Sequence, residues 1–423
     1  MPATTGVSSR RRLSELLFAG YPLVFADPSF RTLFLVLLIA GTASAMAMAY
    51  TSVWASETFG IGPQGVGIVF VASGLAGALG NPLLGMLSDR FGWRQPLIVG
   101  QLAVVALAYA GYTRVTDFTP ALSLVALSSL SIFGLVLAVV NDIVTTRPTL
   151  EKRNASRILA AVRTAWSIGV ILGPAVAAAI VAVTGKTKPV FSAAALLQIA
   201  TIVLIVSTRA LAVSKPRPKE IPRDSKSSSQ SRSIPKVSLA ILMLALVLIM
   251  LPTQTRTMYL PLFVTTLLRE PPGMVGPLFT VTAVVATMTM PHIGAAADHF
   301  GAQRVLYLGS IVGFAYCILQ AASATYPQIL ACQLLIGFGI ALWSTSALIY
   351  LQQLMAGQAG IAGGLYVAVS QITPLLGGAL IGPIAEGLGI PAAFGATAFL
   401  SLVALLLLAR AHRSLAARTV QLG

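Results

Sequence analysis

The chain has 423 residues, 56% of them hydrophobic and 9% charged, with a mean hydropathy of +0.86. A soluble domain carries about a quarter charged residues, so this chain cannot cover a water-facing surface, and lipid is the solvent for most of it. That composition excludes a soluble enzyme and a disordered chain, and leaves the net charge of +16 to be placed.

The first 31 residues contain Ser9-Arg10-Arg11-Arg12-Leu13. The run superficially resembles a twin-arginine signal but reads more simply as a juxtamembrane anchor on a cytoplasmic segment. The apolar run that follows is a full span with no small-residue cleavage site, so a cleavable signal is not expected. Twelve stretches reach the roughly 20 apolar residues a crossing helix needs: 32–54, 64–87, 95–112, 120–142, 157–183, 190–212, 237–267, 274–297, 304–322, 327–351, 361–384 and 391–411. Between the sixth and the seventh, Ser214-Lys215-Pro216-Arg217-Pro218-Lys219-Glu220 opens a Ser-rich stretch that runs to Lys236. Proline, serine and charge without apolar periodicity predict a flexible linker. The expected organisation is a cytoplasmic segment 1–31, a bundle over 32–212, a linker 213–236, a second bundle over 237–411 and a tail 412–423.

With both termini placed in the cytoplasm, 22 of the 28 Lys and Arg residues fall in segments on that side. Four (Arg114, Lys186, Lys188 and Arg269) fall on the other, and Arg163 and Arg256 stay within spans. This asymmetry follows the positive-inside rule. The charge is therefore topological and leaves no basic stripe for nucleic acid. Cys317 and Cys332 lie in apolar spans and predict neither a disulfide framework nor a metal site. No Walker lysine motif, ligand cluster or nucleophile triad is present, so no cofactor, metal or catalysis is expected.

The two sets of six spans repeat one another. Gly85-Met86-Leu87-Ser88-Asp89-Arg90-Phe91-Gly92 follows span two, and Gly294-Ala295-Ala296-Ala297-Asp298-His299-Phe300-Gly301 follows span eight, 209 positions on. Gly169-x-x-x-Gly173-Pro174 in span five recurs as Gly378-x-x-x-Gly382-Pro383 in span eleven at the same 209-residue offset. Two unrelated motifs with one offset mark a tandem duplication, and six spans per copy give both halves the same orientation.

On these motifs, and along essentially its whole length, the chain resembles the major facilitator superfamily. The resemblance implies an all-α integral membrane protein with 12 transmembrane helices in two six-helix bundles that rock about a central site. It also implies a multi-pass protein of the bacterial cytoplasmic (inner) membrane, acting on a small-molecule substrate and expected to work as a monomer. Gly85-x-x-x-Asp89-Arg90-x-Gly92-x-Arg94 resembles the superfamily's signature loop between its second and third helices. Gly85 and Gly294 are expected where helices approach closely. Asp89 is expected to face the N-terminus of span eleven, and Asp298 that of span five, when the cytoplasmic side is closed. Arg90 and Arg94 would complete the first cluster, while His299 and Gln303 make the second weaker. Gly173-Pro174 resembles the helix-five motif of exporters that work as antiporters, and Ala160, Ala177 and Ala178 stand where the wider pattern has glycine. Gly382 and Pro383 repeat the pair in the second half.

Ionisable residues inside a bilayer are expensive unless paired or functional. Asp142, near the cytoplasmic end of span four, and Arg163, six residues into span five, sit at similar depth and could pair; an inert ion pair and a proton carrier read alike for Asp142, while Arg163 reads as a substrate-binding residue of the cavity. Arg256 is placed near the outer end of span seven, where its head could snorkel to the surface or meet substrate. His292 follows Pro291 and reads as packing more readily than as a proton relay. Asn141, Trp166, Gln254, Tyr259, Trp343, Tyr350, Tyr366 and Gln371 complete the candidate lining. Amides and arginines satisfy several hydroxyls at once, and Trp and Tyr offer faces to apolar ring edges; a neutral polyol such as a sugar suits them.

The second half resembles most the bacterial sugar efflux transporter family. Tyr350-Leu351-Gln352-Gln353-Leu354-Met355-Ala356-Gly357-Gln358-Ala359-Gly360, Leu365-Tyr366 and Pro261-Leu262-Phe263 carry this, with Arg163 ten residues before Gly173. The resemblance implies proton-driven export of sugars or sugar-like glycosides. Ala356 stands where the family usually has proline, and Thr289 where its pattern has a glutamate, which leaves the coupling to Asp142, to another group, or to no proton at all. The alternatives are a multidrug or amphiphile exporter, which Met46 and Met48 would suit, and a membrane sensor that keeps the fold without transporting.

Overall fold

The computed structural model describes residues 20–146, 152–208, 236–355 and 358–421. The arginine run at 10–12, most of the linker, and Ala356-Gly357 lie outside them. Among the described residues, twelve helices are long and apolar enough to cross a membrane: Pro28–Phe59, Pro63–Phe91, Arg94–Tyr112, Phe118–Val144, Arg157–Thr184, Lys188–Thr208, Val237–Leu267, Pro272–Phe300, Ala302–Ala321, Tyr326–Leu354, Ile361–Leu388 and Ile390–Arg413. Each overlaps the span expected at its place. Residues 20, 208, 236 and 421 come to one face, called the terminus face below, because six crossings return the chain to where it began.

Local chemistry sets the ends. The Asp27 carboxylate accepts the Ser29 N–H at 2.8 Å and caps span one, with Pro28 in its first turn. Gly60, at φ 63°, closes the helix in the left-handed conformation and returns its N–H to Ser56.

Three local features escaped sequence reading. A short helix, Gly20–Ala26, precedes span one, and a π-turn, Phe263–Leu267, ends span seven. Span four is broken into Phe118–Ser128 and Phe133–Thr146. The break survives in lipid because neighbours satisfy the freed backbone. Asn81 of span two accepts the Ser131 N–H at 3.0 Å, and the Ser129 hydroxyl bonds Ser73 at 2.7 Å.

Within the first half, spans one and five meet through Gly169 and Gly173. A methyl added at Gly169 would lie 2.6 Å from the Leu38 carbonyl, and one at Gly173 2.6 Å from that of Thr42. These glycines let two backbones touch, which is how helices gain packing where burial from water offers no drive. Near the face opposite the termini, Trp54 stacks on Tyr112 at 4.2 Å and donates its indole N–H to the Tyr112 carbonyl at 3.0 Å. In the second half, Thr255 and Thr397 bond at 2.9 Å and Ser310 donates to the Ser401 carbonyl at 3.1 Å, tying spans seven and nine to twelve.

The halves meet near the opposite face and part toward the terminus face. Span two approaches span eleven backbone to backbone: a methyl at Gly67 would lie 2.7 Å from the Gly378 carbonyl, and one at Gly74 2.7 Å from the Leu375 nitrogen. Gly276 of span eight likewise abuts the Pro174 carbonyl of span five. The Glu386 carboxylate crosses to accept the Gln64 N–H at 3.0 Å. Toward the terminus face, a methyl at Gly85 would meet nothing within 4 Å, and one at Gly294 only Thr345 of its own half. The close approach expected at Gly85 and Gly294 is therefore absent in this conformation, because the halves are apart where those glycines lie.

Candidate functional site

A cavity of about 410 Å³ lies midway along the helices, between the halves. Spans one, five, seven, eight, ten and eleven line it. Its polar surface comes from helical Ser and Thr residues: Ser167, Thr253, Thr257, Thr282, Thr287, Ser370 and Thr373. Thr257, Thr282 and Thr373 each donate to the carbonyl four residues back, at 2.7–2.9 Å. The lone pairs of Thr257 and Thr373 stay available to accept hydrogen bonds from an occupant of the cavity, while Thr282 is engaged by a neighbouring side chain. Gln254 adds an amide, and Trp166 and Trp343 add aromatic faces. Met48, Met250 and Met290 supply polarisable apolar surface. The Thr253 hydroxyl and the Trp343 indole nitrogen are enclosed without a hydrogen-bond partner among the described residues.

Arg256 is the charged residue of this lining. Its side chain is 3% exposed, so of the two expected placements it takes the cavity and does not snorkel to the surface. Its Nε donates to Gln333 Oε1 at 2.5 Å. Its Nη2 donates to Thr282 Oγ1 at 2.9 Å and to the Leu278 carbonyl at 3.3 Å. The guanidinium lies 4.2 Å from the Phe279 ring centre. Gln333 presents its oxygen because its amide nitrogen donates to the Ile329 carbonyl at 3.1 Å and to Gln320 at 3.3 Å. Partners on spans eight and ten, together with the ring, replace the water that a guanidinium would hold at the surface.

Of the expected lining residues, the cavity brings together Trp166, Gln254, Arg256 and Trp343. Tyr259 sits above it, its hydroxyl 3.2 Å from a methyl position at Gly67 in the closed contact between spans two, seven and eleven. Gln371 packs its amide against Gly77 of span two. Arg163 is exposed on the terminus side of the cavity, within electrostatic range of Tyr366. Asn141 is exposed, and Tyr350 is buried away from the lining. Sequence reading passed over the threonines, although Thr253, Thr255 and Thr257 in one apolar helix were a legible signal.

Asp142 pairs with Arg94, not with Arg163, the candidate partner from the sequence. Arg94 begins span three and reaches the terminus-side end of span four, where it also donates to the Ala138 carbonyl at 3.2 Å. The same guanidinium lies 3.9 Å from Asp89. Arg163, starting from span five, points to the open space between the halves. Asp89 is 66% exposed and Asp298 is exposed, and among the described residues neither accepts a hydrogen bond from a helix N-terminus of the other half. His292 is exposed, its ring 3.2 Å from the Met288 carbonyl, and is not packed as expected.

The duplicated Gly-x-x-x-Gly pairs do different jobs. Gly169 and Gly173 pack against span one of their own half, whereas Gly378 faces Gly67 across the divide and Gly382 lies 3.6 Å, from its added-methyl position, to Gln64. Pro174 lines the cavity; Pro383 is exposed.

The family described as Major Facilitator Superfamily matches residues 33–269 and 242–420. A protein named putative sugar efflux transporter from Deinococcus radiodurans is 26% identical over 374 residues, spanning 88% of this chain and 94% of its own. Sugar efflux transporter A of Dickeya chrysanthemi is 25% identical, spanning 84% of this chain and 88% of its own. Among solved structures, a nucleoside transporter superposes with a TM-score of 0.75 at 13% identity, over 91% of this chain and 99% of that one. A bacterial homologue of the human lysosomal transporter Spinster, in an inward-facing and occupied conformation, superposes with a TM-score of 0.71 at 12% identity, over 90% and 96%. At those identities the structural likeness bears on the fold alone.

Proposed function

The chain belongs to the major facilitator superfamily, and on that premise we propose that it exports sugars or sugar-like glycosides across the bacterial inner membrane by alternating access. The observation that carries the proposal is the cavity itself. It holds about 410 Å³, within the ~300–1,000 Å³ typical of small-molecule sites. Hydroxyls, an amide and two indoles converge on it from both halves, a lining that suits a polyol with apolar ring edges. The names of the two relatives support the same substrate class.

The positive-inside rule puts the terminus face in the cytoplasm. The conformation is then inward-facing, loaded from the cytoplasm and sealed outside by spans two and eleven. Export follows when that seal opens and the signature loop closes.

Coupling to protons is assigned to Asp142. Among the described residues no carboxylate lines the cavity. Asp142 shares Arg94 with Asp89 of the signature loop, so the charge on Asp142 sets how Arg94 is held at that loop. That links protonation to the element that must close.

The test is flux of radiolabelled lactose, glucosides and arabinose in proteoliposomes under an imposed pH step, with Asp142→Asn beside the parent. Saturable sugar flux that follows the step and fails in Asp142→Asn is expected. Flux insensitive to the step removes the coupling and keeps the sugar. The three methionines of the lining favour a second reading, an amphiphile exporter; movement of a hydrophobic dye without sugar flux would select it.

A further inference from the structure

The buried guanidinium of Arg256 is only partly used by the protein. Nε and Nη2 make three hydrogen bonds. Nη1 makes none with the described residues, and it is not among the enclosed polar atoms left unpaired, so it is open to the cavity. No carboxylate lies within 4.0 Å of Arg256 among the described residues. The partners it does have, Gln333, Thr282 and the Leu278 carbonyl, are all neutral. The next cation between the halves, Arg163, is exposed beside the cavity on its open side, a second positive charge next to the cavity.

A tie between spans seven, eight and ten needs only a neutral donor. A full charge held in mid-membrane, with one nitrogen facing the cavity, is expensive without a counter-charge. The cavity's own residues do not supply one, which leaves the occupant. A carboxylate or phosphate both accepts from a guanidinium and neutralises its charge, whereas a neutral sugar hydroxyl accepts the bond and leaves the charge without a counter-ion.

Resting on the sugar reading above, we propose that the cargo is an anionic sugar, a sugar acid, glycuronide or sugar phosphate, whose anionic group pairs with Nη1 of Arg256 while its ring meets the hydroxyls and indoles. Anionic cargo also changes the energetics of export. An inside-negative potential favours outward movement of a monoanion roughly 50-fold per 100 mV, so export of such a sugar proceeds on the membrane potential even where no proton is exchanged.

The experiment compares binding of methyl glucuronide, glucose 6-phosphate, methyl glucoside and benzoate to the purified full chain, read by quenching of Trp166 and Trp343 fluorescence. In the parent protein one of the two anionic sugars is expected to bind at least ~10-fold more tightly than methyl glucoside, and the comparison of the two says whether carboxylate or phosphate fits better. In Arg256→Gln the preference should fall to within ~2-fold, and Arg256→Lys should restore part of it. Equal or tighter binding of methyl glucoside in the parent overturns the anionic cargo and leaves sugar export standing. A preference that survives in folded Arg256→Gln overturns the role of Arg256. Benzoate binding where no glycoside or sugar phosphate binds removes the sugar but supports the anion, while binding of none of the four, with a hydrophobic dye bound instead, overturns both. The parent comparison decides the main point even if Arg256→Gln does not fold.

Discussion

The carboxylate of Glu386, at the end of span eleven, accepts the backbone N–H of Gln64 at 3.0 Å, at the start of span two in the other half. The N-cap of span two is Gly62, which has no side chain to cap with, so the capping group is delivered from the opposite bundle. A carboxylate at a helix N-terminus is worth about 0.3–1 kcal/mol. The contact exists only while the face opposite the termini is closed, so it stabilises the state open on the terminus face alone.

Glu386→Gln should therefore shift the equilibrium toward opening on that face, by up to about five-fold. Spin labels at Arg114→Cys and Ala324→Cys, exposed on that face in either half, report it as growth of a longer-distance population. An unchanged distance distribution would show that Glu386 does not hold the seal.

Two glycines should respond oppositely to the same substitution. A methyl at Gly378 would collide with the Gly67 carbonyl, whereas one at Gly85 meets nothing within 4 Å. Gly378→Ala is expected to prevent full closure and to open the face opposite the termini, and Gly85→Ala to leave this conformation intact while hindering closure of the terminus face. Thiol accessibility at Ser370→Cys, in the cavity lining, from each side of the membrane separates them. Equal accessibility in both variants would contradict the placement of the seal.

The Asp142–Arg94 pair predicts which substitutions share an effect. Asp142→Asn and Arg94→Gln should each cost about 1–2 kcal/mol of stability, below the range for a fully buried pair because both side chains keep some exposure. The double variant should be little worse than either single one. Arg163→Ala should add independently to Asp142→Asn. Thermal unfolding in detergent measures all of these, and coupling of Asp142 to Arg163 instead would overturn the pairing.

Twelve spans, two repeated halves and the orientation of the termini relative to one another were legible in the sequence because each rests on a sum over many residues: apolar length, charge asymmetry and a repeat offset. The site was legible only in part. Trp166, Gln254, Arg256 and Trp343 were found as polar or aromatic residues in apolar helices. Tyr259 and Gln371 satisfied the same criterion, yet both face the contact between spans two and eleven, since residue type does not specify which side of a helix meets the other bundle. Arg94 was missed as the partner of Asp142 because depth along consecutive helices says nothing of the azimuth at which each side chain leaves its axis. The break in span four had no signal of its own, for its support, Asn81, lies 50 residues earlier.

That support gives a further test. Asn81→Leu leaves the Ser131 N–H without its acceptor in a lipid-embedded segment, a loss of about 1–3 kcal/mol. Thermal unfolding should register a lower midpoint, and hydrogen exchange should rise at residues 129–132 before it rises elsewhere. Unaltered exchange there would mean that the break is held by Ser129 and Ser73 alone.

Alternating access is tested most directly by locking the outer seal. Gln64→Cys with Glu386→Cys, in a chain whose buried native thiols Cys317 and Cys332 are replaced by alanine, places two thiols where the halves touch. Cross-linking them with a short bifunctional reagent cleavable by a reductant should abolish sugar flux in proteoliposomes, and reduction should restore it, because cargo leaves only when spans two and eleven separate. Flux that continues at the parent rate after complete cross-linking would contradict the account.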